Sequence, residues 1–154
     1  MPSHNHIHID DSLWPLLIIR YTGTPSTRQF EESLARRTSY LDRRQRHVTL
    51  LDFTGATGLS PPEQRHMQVD WLKQHDARLR EQSLGEAFVT DSTVMKLLLS
   101  VILHLKPLSS PHQTFRQLPE ALEWCAERLE QAELAAEGRR VREHLEPRPG
   151  KRSA

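Results

Sequence analysis

The stretch HVTLLDFTGATGLSPPE, residues 47–63, decides the fold. His47 to Phe53 is a short apolar run with β-branched Val48 and Thr49, bounded by Gly55 and Gly58. It is too short for a typical helix and reads as a buried central strand. The marks of a helix start follow at once. Ser60 suits the N-cap, Pro61 the first helical position, and Glu63 stands three residues beyond the cap.

Upstream, Ile7 and Ile9 alternate with polar neighbours, Asp10, Asp11 and Ser12 supply turn chemistry, and Leu13 to Tyr21 forms a second apolar run. The pattern predicts a two-stranded hairpin. Thr22 to Pro25 break the strand, and Ser26 with Gln29 can form a capping box for a helix ending near Arg44. Phe30, Leu34, Thr38 and Leu41 share one face of that helix, leaving Arg28, Glu32, Arg36, Arg37, Arg43 and Arg44 to water.

Downstream, the helix from Ser60 is anchored by Met67, Trp71, Leu72 and Leu79 and is expected to run to Gln82. Ala87 to Thr90 is a short strand, and Asp91 or Ser92 caps an apolar third helix, Val94 to Leu105, which Pro107 stops. A last strand is expected around Gln113 to Arg116. Pro119 and Glu120 then open a helix carrying Leu122, Cys125, Ala126 and Leu129 as far as Glu137. Gly138 weakens it, and residues 138–154 read as a flexible charged tail without a core of its own. The order ββαβαβαβα predicts an α/β fold, a mixed and mostly parallel five-stranded sheet covered by four helices, as a single domain over residues 1–137.

Composition limits the function classes. A chain of 154 residues can bury roughly two-thirds of its unfolded surface, so it needs no disulfide or structural metal. One cysteine cannot form an internal disulfide, which fits a reducing cytoplasm. Lys and Arg number 21 against 20 Asp and Glu, so no global field draws the chain to nucleic acid or an anionic membrane. MPSHNHIHIDD has neither the basic start nor the apolar core of a signal peptide, and Val94 to Leu105 would span only about 18 Å as a helix. A cytoplasmic protein without a membrane-spanning segment is expected.

Three segments carry a family resemblance. LLDFTGATGLSPPE (50–63) looks like the strand, loop and capped-helix junction of the STAS domain superfamily. GEAFVTDS (85–92) resembles the Gly-x-Ala-Phe-Val strand of its SpoIIAA-like (STAS/SEC14-like) branch of small bacterial proteins. HQTFRQLPEALEWCAERL (112–129) resembles that branch's terminal segment, with Phe115, Glu120, Ala121 and Trp124 in the expected places. The resemblance covers residues 5 to 130 and implies a non-enzymatic regulatory module that binds a partner protein. Anti-sigma factor antagonists of this fold are switched by phosphorylation of a Ser or Thr at the start of the second helix. This chain departs from their Asp-Ser pattern, with Ser60 as the matching candidate and Thr57 the second. A phosphate there would meet the positive end of the helix dipole, although an N-cap Ser explains Ser60 equally. Thr54, Thr57, Gly58 and Ser60 are the partner-binding or phospho-switch candidates.

On the third helix, Lys96, Ser100 and His104 form one thin polar stripe on an otherwise aliphatic cylinder. Apolar surface is left over after packing on a sheet, and Leu98, Leu99 and Ile102 are its candidates. That surface suits a dimer interface, a protein partner, or a small hydrophobic ligand or lipid held between this helix and the sheet.

His4, His6 and His8 alternate, so an extended strand puts all three rings on one face. The spacing could bind zinc, copper or nickel, and a solvated strand face explains it too. Arg36, Arg37, Arg43, Arg44 and Arg46 make a basic helix end, but Tyr40 is the lone aromatic beside them, which argues against nucleic-acid binding. No enzyme template or cofactor motif fits. Cys125 lies at helical spacing with Leu122 and Leu129 and reads as a core thiol, while Asp52, at a strand end, is the best-placed lone carboxylate.

Overall fold

In the computed structural model, which describes residues 5–58 and 60–145, His47–Ala56 is the middle strand of a five-stranded sheet. The strands are β1 (His6–Leu13), β2 (Leu16–Gly23), β3 (His47–Ala56), β4 (Ser83–Val89) and β5 (His112–Phe115), and their spatial order matches their chain order. β1 pairs antiparallel with β2, and every other neighbouring pair is parallel.

Alternation explains why the middle strands are so apolar. Leu17, Ile19 and Tyr21 of β2, Leu51 of β3 and Phe88 of β4 share a core with the helices α1 (Thr27–Leu41), α2 (Pro62–Gln74), α3 (Asp76–Gln82) and α4 (Thr93–Leu105). Leu16, Ile18, Val48, Leu50, Ala87 and Val89 face the other way, onto α5 (Leu118–Gln131) and α6 (Ala135–Leu145). A sheet covered on both faces has no solvent side on which to place polar residues. The layering follows from the connections. Three crossovers step across the sheet in one direction, and a common handedness then lays their helices on one face.

The Ser26–Gln29 capping box forms as the spacing predicts, with Gln29 N–H donating to Ser26 Oγ at 3.1 Å and Ser26 N–H to Gln29 Oε1 at 2.8 Å. Other boundaries move. The hairpin turns at Trp14–Pro15, not at Asp10 to Ser12, which lie within an irregular stretch of β1. The helix expected to reach Gln82 breaks at His75 into α2 and α3. Among the described residues six helices therefore cover the sheet where four were expected.

The sixth lies in the segment read as a tail. Val141 of α6 is completely buried among α5 and the strands, and Arg142 pairs with both Glu130 and Glu123. Gly138, read as a helix weakener, sits where α6 approaches α5: a Cβ there would stand 3.0 Å from the Ala126 carbonyl oxygen and 2.6 Å from Glu130 Cγ. The lack of a side chain is what lets the helices meet. The expectation of a tail is thus corrected for residues 138–145, while 146–154 lie outside the described residues.

Candidate functional site

The carboxyl ends of β2 and β3 are tied together where Thr57 N–H donates to the Gly23 carbonyl at 2.9 Å. Gly58 follows with φ of 76°, a left-handed conformation that L side chains adopt at a cost. The chain then enters α2 through consecutive prolines. A residue before proline is pushed toward extended backbone, and Pro61, at φ −62° and ψ 156°, is accordingly the N-cap of a helix beginning at Pro62. Ser60 is therefore not the N-cap, contrary to the sequence reading. Its carbonyl accepts from Arg65 Nη1 at 2.6 Å. Gln64, 3% exposed, donates from Nε2 to the Pro25 carbonyl at 3.0 Å and pins the start of α2 to the loop after β2.

Between this loop, the sheet and α4 lies a cavity of about 110 Å³, open on one side. Tyr21, Leu51, Phe53 and Phe88 form its sheet wall, with Tyr21 and Phe53 stacked 4.7 Å apart. Met95, Leu98, Leu99 and Ile102 of α4 form the opposite wall, and Thr57, Gly58 and Ser60 stand at the loop side. This is about three-quarters of the volume of an apolar cavity of about 150 Å³ that admits benzene, so a small ring would fill it and reach its open side.

α4 is capped by Ser92, whose hydroxyl accepts from Met95 N–H at 3.2 Å. The three α4 candidates were expected on its free surface, and that placement is corrected. Leu99 is 7% exposed, and Leu98 and Ile102 are half-buried against the cavity. The outward apolar stripe is Val94, Leu97, Val101 and Leu105, each more than half exposed. The helix is apolar nearly all round, so periodicity could not say which aliphatic strip faces in.

At the inner end of the cavity stands a charge. Glu86 of β4 is 4% exposed, lines the cavity, and accepts at Oε1 from Arg37 Nη2 at 3.3 Å. Arg37 is also 4% exposed, with its guanidinium carbon 4.4 Å from the centroid of Trp71. Sequence reading gave Arg37 to water, and the structure corrects this. Burial pushes the Glu86 carboxyl above its ordinary range, outweighing the pull of Arg37 and His112 in the other direction. Burial likewise raises the Tyr21 hydroxyl, with Arg37 lowering and Glu86 raising it. Glu86 was the readable clue, a carboxylate inside the apolar GEAFV strand.

The remaining candidates lie elsewhere. Thr54 is outside the cavity, its hydroxyl donating to Asp52 Oδ1 at 2.7 Å and its N–H to the same oxygen at 3.0 Å. Asp52 thus braces the stretch of β3 where its pairing with β2 shifts register. Cys125 is completely buried in the opposite core, where loss of water pushes its thiol pKa upward. His6 and His8 are exposed on β1, His4 lies outside the described residues, and no three metal-ligating side chains come together among the described residues. Arg43 lies over Trp14 and Tyr40, each centroid 4.7 Å away, so part of the basic helix end covers aromatic rings.

Among the described residues no helix is long and apolar enough to cross a membrane. No protein-family profile and no curated protein matches the chain. Among solved structures it is similar to an uncharacterized DUF3478-family protein with a SpoIIAA-like fold from Shewanella loihica PV-4, at 22% identity and a TM-score of 0.55, over 81% of this chain and 98% of that one. With its sheet order, its layering and this match, the chain has a SpoIIAA-like fold.

Proposed function

We propose that the chain is a non-enzymatic binding module, a carrier or sensor of a small hydrophobic ligand held between α4 and the sheet. One observation carries the reading: the two groups of residues singled out separately in sequence, Thr57–Gly58–Ser60 and Leu98–Leu99–Ile102, line one apolar cavity. Concave, mostly apolar sites with a few polar groups are what small-molecule binding requires. Their place at the carboxyl ends of parallel strands is where α/β sheets gather ligands. The two side chains that the sequence offered for catalysis are otherwise engaged, Asp52 with Thr54 inside β3 and Cys125 in the far core. Native mass spectrometry of protein purified without denaturation tests the reading. A species heavier than the 17.9 kDa polypeptide by one small molecule is expected. A bare polypeptide, together with no response of the Met95 and Leu99 methyl resonances to toluene, refutes it.

A second reading, partner binding by a regulatory module in the cytoplasm, is favoured by the exposed stripe on α4. On its inner side the helix packs through Met95 and Leu99 into the core it shares with α2. Occupancy of the cavity would then set the position of α4, and the outer stripe would present that state to a protein. The loop at Ser60 is its second contact and its phospho-switch candidate, now free of the capping role that explained it. Ser60→Asp is expected to weaken partner binding with little change in the melt, and equal binding by Ser60→Ala and Ser60→Asp excludes the switch.

A further inference from the structure

The cavity is lined by one member of an incompletely satisfied ion pair: Glu86 faces it, while its partner Arg37 is not among the lining residues. Glu86 and Arg37 share one long contact of 3.3 Å. Arg37 Nη1 is buried without a hydrogen-bond partner. The shape of the fold does not demand such a pair, because apolar residues of similar volume usually pack as well or better. A carboxylate that opens on an apolar cavity is, however, a ready hydrogen-bond acceptor for whatever enters it.

The charges around Glu86 restrict what that can be. Arg37 faces it from α1, Tyr21 from β2 and His112 from β5, and Arg65, whose guanidinium is held on the Ser60 carbonyl, lines the same cavity. A carboxylate or phosphate head would be brought against Glu86 in surroundings too dry to screen the repulsion. An ammonium head would meet the Arg37 guanidinium in the same way. A bare hydrocarbon would strip water from Glu86 and return no hydrogen bond. A hydroxyl is uncharged and donates to a carboxylate.

Building on the reading of the cavity as a ligand site, we propose that its ligand is an apolar alcohol, or the hydroxyl-bearing end of a larger apolar molecule. Its hydroxyl donates to Glu86, and its hydrocarbon body lies against Leu51, Phe88, Met95 and Leu99.

The test is an NMR titration of the full chain with four probes built on one ring: toluene, benzyl alcohol, benzylamine and benzoate. Benzyl alcohol is expected to shift the Met95 and Leu99 methyl resonances and to bind about tenfold or more tightly than toluene, as a hydrogen bond to a charged acceptor implies. Benzylamine and benzoate are expected to bind more weakly than the alcohol. In Glu86→Gln the alcohol-to-toluene ratio falls. In the paired variant Arg37→Leu with Glu86→Leu, which leaves neither charge stranded and guards against misfolding, it falls to near one. Equal binding of toluene and benzyl alcohol, or benzylamine or benzoate as the tightest probe, overturns the hydroxyl assignment and leaves the apolar-ligand reading in place. No response of these methyls to any probe overturns both.

Discussion

Arg37→Leu and Glu86→Leu break the same ion pair, yet they should not cost the same, and the difference should depend on pH. Each partner is 4% exposed, so removing either leaves a charge in the core, a change that typically costs about 3–5 kcal/mol. Glu86 has an escape that Arg37 lacks. A stranded carboxylate can take up a proton, and from an ordinary pKa of 4.5 doing so at pH 7 costs at most about 3.4 kcal/mol, at 1.36 kcal/mol per unit. An arginine stays charged throughout the accessible range. The sign of the pH effect follows. Glu86 already has a raised pKa in the folded protein, and loss of Arg37 removes an influence that lowers it. Above pH 4.5 the folded variant then holds a proton that the unfolded chain has lost, so its stability rises as pH falls.

Urea unfolding at pH 7 and pH 5 measures this. Relative to wild type at the same pH, Arg37→Leu should lose about 3 kcal/mol at pH 7 and recover most of it at pH 5. Glu86→Leu should lose about 3–5 kcal/mol at both. The double variant should fall within about 1 kcal/mol of wild type, because no charge is stranded. Part of the loss on removing Arg37 is its contact over Trp71 at 4.4 Å, which acidification does not restore. Penalties under 1 kcal/mol for both single variants, adding simply in the double, would falsify the placement of the pair in a dry core. So would identical pH dependence of the two.

Other expectations follow from the same packing. Val141→Ala should cost about 2 kcal/mol in denaturant unfolding, because Val141 is fully buried; no change would return residues 138–145 to the status of a tail. Leu99→Glu should lower the thermal melt sharply, while Leu97→Glu, at a position 63% exposed, should leave it nearly unchanged; the reverse order would mean that α4 is turned the other way. Burial pushes the His47 imidazole pKa below 6.5, so the unfolded chain binds a proton that the folded one refuses, and stability should fall as pH drops below about 6.5. Melts at pH 7.5 and 5.5 should show the gap between wild type and His47→Gln closing on acidification, and a constant gap would exclude His47 as the source.

Local chemistry made much of the fold readable. Runs such as Leu16 to Ile19 and Val48 to Leu51 are continuous because both faces of the sheet are covered, and the Ser26 cap and the Pro107 stop mark helix ends within a residue or two. The misreadings have two causes, a local rule passed over and contacts distant in sequence. Ser60 has the residue type of an N-cap, but Pro62 holds Pro61 in extended backbone and moves the helix start by one residue. Gly138 weakens a helix in isolation and here admits α6 to α5. The 138–145 segment offers only Val141 and Leu145 as apolar anchors, and one fully buried valine with the ion-paired Arg142 is enough to hold it.

The site was legible in pieces but not as a site. Thr57, Gly58 and Ser60 stood out as a strand-end loop, and Leu98, Leu99 and Ile102 as surplus apolar surface, with nothing in either segment to show that they meet. Arg37 was harder still. On helix periodicity it falls within the face made by Phe30, Leu34 and Leu41, but an arginine there can still carry its charge to water along its aliphatic stem. Its burial is decided 49 residues away, by Glu86. β4 is covered on both faces, so a carboxylate in its middle must meet a cation or a donor wherever it points. It points to the layer holding α1, with Arg37 as the cation that reaches it. Neither residue alone signals the pair, and the near-zero net charge of the chain hides it further, because a buried pair of opposite charges cancels in the sum. A charged residue inside a strand that should be apolar on both sides is therefore the more telling mark in this sequence, and it leads to the inner end of the cavity, where the apolar walls stop and hydrogen-bonding chemistry begins.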